Sequence, residues 1–450
     1  MAAPPMLFDI LLIGSGPCAV AALSALPKGR KILVVTGAGP KLLPAHARSM
    51  HAKIASTARE SGEEIGIGQR IPFAGPAKGE LLRPAIVGGL ANYWGQQFAR
   101  YEVNDPWPRG TFDSHAQYLD ACGRIESLFQ CSPGVDARST VSLDSGYSHR
   151  TPNLVLGSRG AGTAGGRKVP GLQSMREAFH AQAAAHDATV VHLSAVQWET
   201  QGDIVRVTLS DGSTAEGRLL LLAAGVVGTL NLAFASCADI GSATFGDHAP
   251  SMLYTTLRRN GLPTARADGE KHFNTLAIER IIQDEVKVFA SLYRLSHAPL
   301  SLLLAMLKLP TITRGLNIPG LMNLITPIQV WTHATQMRYR LERGIPTAFV
   351  EETADSSNDP EMTGFLHWIK QRARVWKVAA PAPGGGFHFC AARVASEEAG
   401  EVTLDDYLQR TQQGRVVAVD ASVLPELGCR PSALTMMANS RRKVERCMQN

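Results

Sequence analysis

Phe8-Asp9-Ile10-Leu11-Leu12-Ile13-Gly14-Ser15-Gly16-Pro17-Cys18-Ala19-Val20-Ala21-Ala22-Leu23 is the stretch whose reading decides the fold. An apolar run leads into a glycine turn and then into small residues at helical spacing. This is the strand–turn–helix unit that holds a dinucleotide pyrophosphate. Gly14 turns the chain out of the strand, and Gly16 lets backbone approach the phosphates. Pro17 suits the first helical position, and Ala19 keeps the third small position where helix and strand pack. The helix N-terminus then offers N–H groups and partial positive charge to an anion.

Working outward, Lys31-Ile32-Leu33-Val34-Val35-Thr36-Gly37 forms the next strand. An acidic residue about twenty positions past the glycines usually grips the adenosine ribose. Thr36 stands at that place here and offers a single weaker hydrogen bond. A second glycine segment, Gly88-Gly89-Leu90-Ala91-Asn92-Tyr93-Trp94-Gly95, suits a loop pressed against a flat ligand. A helix is expected near His115 to Phe129 and another from Leu172 to Asp187. Val196–Thr200 and Ile204–Leu209 read as a hairpin closed by Asp211-Gly212. Leu219 to Leu222 is a buried strand, and Ala224-Gly225 turns it into a helix beginning at Val226. Val416 to Asp420 and Ser432 to Arg442 form a closing strand and helix. The last segment completes the first fold. The expected fold class is therefore α/β, a Rossmann-like nucleotide domain (1–104, 176–245 and 378–450) with an inserted α+β domain (105–175 and 246–377).

The chain has 450 residues, 45% hydrophobic and 19% charged, with a formal net charge of +6. That is the composition of a globular protein with a large core. Basic residues are scattered, so nucleic-acid binding is not expected. The seven cysteines form no CxxC pair. No metal site is expected, and the odd count without a secretion signal points to reduced thiols in a cytoplasmic protein. Pro299 to Ile325 is interrupted by Lys308, Pro310, Arg314 and Pro319, so no transmembrane segment is expected. Its leucine-rich pieces read first as core, and otherwise as a wall for an apolar substrate, a lid, a partner-binding surface or a membrane-facing surface.

Taken in order, these blocks resemble the glucose–methanol–choline (GMC) flavoprotein oxidoreductases. Gly14-Ser15-Gly16 is similar to the family's FAD pyrophosphate loop, and Gly88–Gly95 to the loop over the isoalloxazine. Leu222–Thr229 with Gly246-Asp247-His248 is similar to its mid-chain signatures. His388, Val419-Asp420-Ala421-Ser422-Val423-Leu424-Pro425 and Leu434–Asn439 are similar to its closing signature. The resemblance implies FAD as cofactor, with backbone near Val196 flanking the adenine. The flavin would reach Gly88, Gly89, Asn92, Trp94, Gly95, Asp420 and Ala421, near Pro431 and Ser432.

It also implies that His388 takes the proton of an alcohol while hydride passes to flavin N5, a task suited to imidazole. A structural histidine beneath the flavin is the alternative. The family's second catalytic His or Asn falls at Arg430, or at Pro431 with a slip of one. A guanidinium cannot act as a base. It would aid His388 electrostatically, or else point to solvent or phosphate without a chemical role. Cys390 and Cys429 read as buried small hydrophobes, and Asp247-His248 as a link between domains. The expected activity is FAD-dependent oxidation of a hydroxyl group on a moderately apolar small molecule of specialised metabolism, by a dehydrogenase or an oxidase. Oxygen or an electron-carrier protein would be the acceptor. Redox-neutral, lyase- or decarboxylase-like chemistry and a catalytically silent flavoprotein subunit remain the alternatives.

Overall fold

The computed structural model describes residues 6–37, 67–77, 79–84, 87–93, 97–131, 141–158, 174–258, 261–262, 274–293, 325–354, 358–398 and 400–449. Strand β1 (Leu7–Ile13) runs into helix α1 (Pro17–Ala25) and then β2 (Ile32–Val35). Parallel pairing sets β1 between β2 and β3 (Thr214–Leu222), with Thr189–Val191 outside β2 and Val416–Ala418 along the end of β3. Ile10 and Leu12 join one buried cluster, whereas Leu11 and Ile13 join another. A strand covered on both faces needs no polar alternation, which is why this run is continuously apolar. Helix α2 (Val226–Ser236) contributes to the cluster on one face. Helices α1 and α3 (Ala433–Cys447) contribute to the cluster on the other. Alanines along α1 let α3 lie close, and Ser440 Oγ donates to the Cys18 carbonyl at 2.8 Å.

The expected hairpin is one limb of a three-stranded meander. Gly202 (φ 57°) turns Ala195–Gln201 into Ile204–Leu209, and Asp211-Gly212 (φ 84°) turns the latter into β3. Both turns need a left-handed residue, and glycine supplies it without steric cost. β3 pairs antiparallel near its start and parallel to Val416–Ala418 near its end. A strand is also present where no period was read: β4 (Ile240–His248), the centre of a five-stranded antiparallel sheet, flanked by Gln336–Glu342 and Cys390–Ser396.

β4 delivers the chain to a seven-stranded antiparallel sheet. This contains Ser251–Leu257, β5 (Asn274–Ile282), β6 (Glu285–Tyr293), β7 (Thr326–Thr332), Ala373–Ala379, Tyr147–Arg150 and Val141–Ser142. Leu276, Ile278, Val288, Ala290, Leu292, Ile328 and Val330 pack with Phe365 and Trp368 of helix Pro360–Arg372. The alternate residues Ala277, Phe289 and Trp331 face the other way, toward Cys429. The residues 299–324, read as core or lid, lie outside the described residues.

Candidate active site

The glycine turn is fixed by the neighbouring strand. Gly14 has φ 121°, and a Cβ there would overlap the Ala223 carbonyl, because β1 and β3 converge at their ends. Gly16 caps α1 with no side-chain cap, Pro17 opens the helix, and no acid lies in its first turn. The helix end is left to backbone N–H groups, which is the arrangement an anion uses. A second turn closes on the first. Gly88 N donates to the Ser15 carbonyl at 3.0 Å, and a Cβ on Gly89 would come within 3.8 Å of the Gly16 Cα. Thr36 is buried, and its hydroxyl shares a 2.8 Å hydrogen bond with Ser15. Ala19 is fully buried beneath the turn. The side chain of Asn92, and Trp94 and Gly95 altogether, lie outside the described residues.

Val196 is 48% exposed and sits where the strand register shifts between Ala195 and Gln197. Such a bulge frees backbone groups from the ladder. The neighbouring Ser194 lies against Gly37 at the end of β2. Ala224 packs against the core, and Gly225 (φ 74°) caps α2. The Gly225 N–H bonds to the Asp420 carboxylate, which also accepts from Thr229 Oγ1 at 2.5 Å and Ser422 N at 3.0 Å. Asp420 is therefore a staple between two turns. Its neighbour Ala421 offers its N–H to the buried Cys18 thiol at the start of α1. Pro431 and Ser432 lead into α3, where Ser432 is the N-cap. Among the described residues, the buried Ser432 Oγ and both amide atoms of Asn439 have no hydrogen-bond partner. Buried polar atoms of this kind are ordinarily satisfied by a ligand or water. A glycine cradle, an uncapped helix and these unpartnered buried groups fit an extended polar cofactor such as FAD.

His388 follows a turn that Asp247 organises. The Asp247 carboxylate accepts from His388 N at 3.1 Å, Gly386 N at 3.2 Å and the Tyr339 hydroxyl at 3.2 Å. A side chain at Gly386 would overlap that carboxylate, and Phe387 adopts φ 56°. The His388 ring stacks on Trp331 with centroids 6.1 Å apart and planes at 22°. Burial, then the neighbouring His248, pushes the His388 pKa down to about 4, so the imidazole is neutral near pH 7. Burial pushes Asp247 up to about 6 against four N–H and O–H donors, the fourth being the His248 backbone N–H. His248 lies between the Gly428 carbonyl at 3.0 Å from Nδ1 and the Thr332 carbonyl at 2.9 Å from Nε2. Burial lowers its pKa to about 4, and the neutral ring, with one N–H, donates to one of these two carbonyls. Burial raises the thiols of Cys390 and Cys429, which removes thiolate chemistry and leaves them as small packing residues.

Arg430 is 3% exposed, and its guanidinium is committed. It makes a two-pronged pair with Glu279 at 2.6 and 3.1 Å, and donates to Glu102 at 2.8 Å and the Arg100 carbonyl at 2.6 Å. Asp105 lies 3.8 Å away, and Arg150 reaches Glu279 at 2.6 Å. Burial alone would lower the Arg430 pKa, but the attraction of Glu279 outweighs it and raises it. The expected charge directed at His388 is thus replaced by a buried ion cluster, and neither the solvent nor the phosphate alternative holds. Glu279 was missed in the sequence. Its signal was a lone acid within the strand Asn274-Thr275-Leu276-Ala277-Ile278-Glu279, on the face of Ala277.

Among the described residues, no cluster of three metal-ligating side chains occurs, and no helix is long and apolar enough to cross a membrane. No family model matches the sequence, and no curated protein does. The solved structures supply a match in fold. Pyridoxine 4-oxidase from Mesorbium loti superposes with a TM-score of 0.56 over 98% of this chain and 99% of that one, at 11% identity. The two chains share a mixed α/β fold almost end to end.

Proposed function

We propose that this protein is an FAD-dependent oxidoreductase of GMC type that oxidises a carbinol of a small molecule, with His388 as the proton acceptor. The observation that carries the reading is the placement of His388, on a turn held by Asp247 and stacked on Trp331, in the chain whose uncapped glycine cradle fits a dinucleotide. The full-length likeness in fold to an oxidase supports it. Gly14, Gly16, Pro17, Ala19 and Thr36 would hold the pyrophosphate half, with Val196 beside the adenine. Gly88, Gly89, Ala224, Gly225, Ala421, Pro431 and Ser432 would border the ring, and Asp420 would keep their turns in register. Bound there, FAD supplies the two-electron acceptor for the substrate's hydride.

The protein's own work is positional. The lone pair of neutral His388 takes the hydroxyl proton, while stacking on Trp331 fixes the ring plane. Asp247 fixes the backbone that carries the imidazole, and burial keeps water from competing for it. Arg430 is a positioning residue, anchoring the Gly428–Ser432 segment to β5 through Glu279.

The purified chain should show flavin absorption and release FAD on acid treatment, and an oxidisable alcohol should bleach it without oxygen. His388→Ala should keep the FAD and lose bleaching rate by about 10²–10⁴-fold. A colourless protein that refuses added FAD overturns the reading. The commitment of Arg430 favours one second reading, redox-neutral chemistry on this scaffold, because only one family catalytic position then faces substrate. Turnover without bleaching would select it.

A further inference from the structure

The sheet face that carries Trp331 continues as a polar row. In β7, Gln329 is two residues from Trp331 and on the same face, about 7 Å along the strand. Gln329 is the cross-strand partner of Ser291, as Trp331 is of Phe289. Tyr293 lies two residues beyond Ser291. Its hydroxyl donates to Gln329 Oε1. Ser291 Oγ in turn donates to Gln97 Oε1 at 3.2 Å, which brings in the segment after the Gly88–Gly95 loop. Ser291, Tyr293 and Gln97 are buried, and Gln329 is half-buried.

The direction of these bonds matters. With its oxygen taken by Tyr293, the Gln329 amide has its two N–H donors left to offer. The nearby cations do not add to this, since Arg150 and Arg430 are held by Glu279 and Glu102. A neutral donor in a desolvated wall selects a neutral acceptor over a carboxylate, which would stay unpaired there.

The geometry points to Gln329, buttressed by Tyr293 and Ser291, as the specificity-determining residue. It would bind a neutral carbonyl-type oxygen of the substrate, at a point about 7 Å along the strand from Trp331, the residue on which His388 stacks. This deepens the proposed alcohol oxidation and rests on it. The molecule recognised is mostly apolar, with one acceptor oxygen set across from its hydroxyl.

Matched alcohols test this on the FAD-loaded full chain: 4-(hydroxymethyl)acetophenone, its isostere 4-isopropylbenzyl alcohol, and 4-(hydroxymethyl)benzoate. The ketone should show the highest kcat/KM, by at least tenfold and mainly through KM. Gln329→Leu should erase that preference by lowering kcat/KM for the ketone at least tenfold more than for the isopropyl compound. Gln329→Glu, equal in shape, should instead prefer the amine 4-(1-aminoethyl)benzyl alcohol, which keeps the test alive if Gln329→Leu fails to fold. Equal kcat/KM for ketone and isostere, or equal losses on both in the variants, overturns the assignment. A separate readout is the change in tryptophan fluorescence on binding 4-methylacetophenone, which has no carbinol. If that ligand binds wild type and not the Gln329 variants, yet no alcohol bleaches the flavin, oxidation fails and recognition stands. If alcohols are oxidised but 4-methylacetophenone binds all variants equally, recognition fails and oxidation stands.

Discussion

The glycine cradle and the Arg430 seam hold neighbouring parts of this molecule together by opposite means. The cradle is backbone against backbone: two turns meet with no side chain between them, and a helix end stays uncapped. The seam is side chain against side chain: Arg430 and Glu279, all but sealed from water, with the partly buried Arg150 and with Glu102 and Asp105 beside them. The cradle leaves its polar groups for a guest, while the seam spends its own on itself. Position in a family motif therefore did not decide the fate of Arg430; the carboxylates opposite it did.

The sharpest way to break the comparison is at the seam. Arg430→Met should cost about 3–5 kcal/mol by leaving a buried carboxylate short of a partner. The double variant Arg430→Met with Glu279→Leu should recover much of that loss in urea titrations. A single variant as stable as wild type would mean that the ions contribute little. At the cradle, Gly14→Ala should cost about 3 kcal/mol, since both φ and the Ala223 carbonyl oppose a Cβ. Gly16→Ala has its nearest neighbour 4.0 Å away and should cost less than about 1 kcal/mol, yet weaken FAD retention. Equal melting temperatures for the two would contradict the geometry.

A pH titration separates the titrating groups near His388. His388 and His248 stay neutral down to about pH 4 in the folded protein but take protons near 6.5 when unfolded. Stability present above pH 6.5 is thus lost as pH falls toward 4. Asp247 holds its proton up to about 6 when folded, against about 3.9 unfolded, and so opposes this with one proton. Two protons against one leaves a net loss of about 1.4 kcal/mol per pH unit on acidification from 6 to 4.5. Asp247→Asn should steepen that slope, and a flat profile in urea midpoints would refute the assignment.

What was legible in the sequence follows the same division. A glycine forced by φ and a strand buried on both faces leave local marks, so β1, α1, the meander strands and α3 could be read near their true places. His388 entered through its resemblance to the family's closing signature, and the structure sets it on a turn held by Asp247 and against Trp331. Arg430 was not, because its partner Glu279 lies 151 positions away and meets it only through sheet register. β4 was missed because Gly241, Gly246 and Asp247 interrupt its alternation, although its neighbours on both sides impose the strand.

The pairing of α1 with α3 has a consequence for how the protein comes into being. About 400 residues separate the two helices, and at 5–20 residues per second the ribosome needs roughly 20–80 s to add them. Until then the face of α1 that meets α3 has no cover, and the strand Val416–Ala418 is missing from the end of β3. The part of the chain made first is among the last to be finished, and it spends that interval as a client for whatever shields apolar surface on a nascent chain.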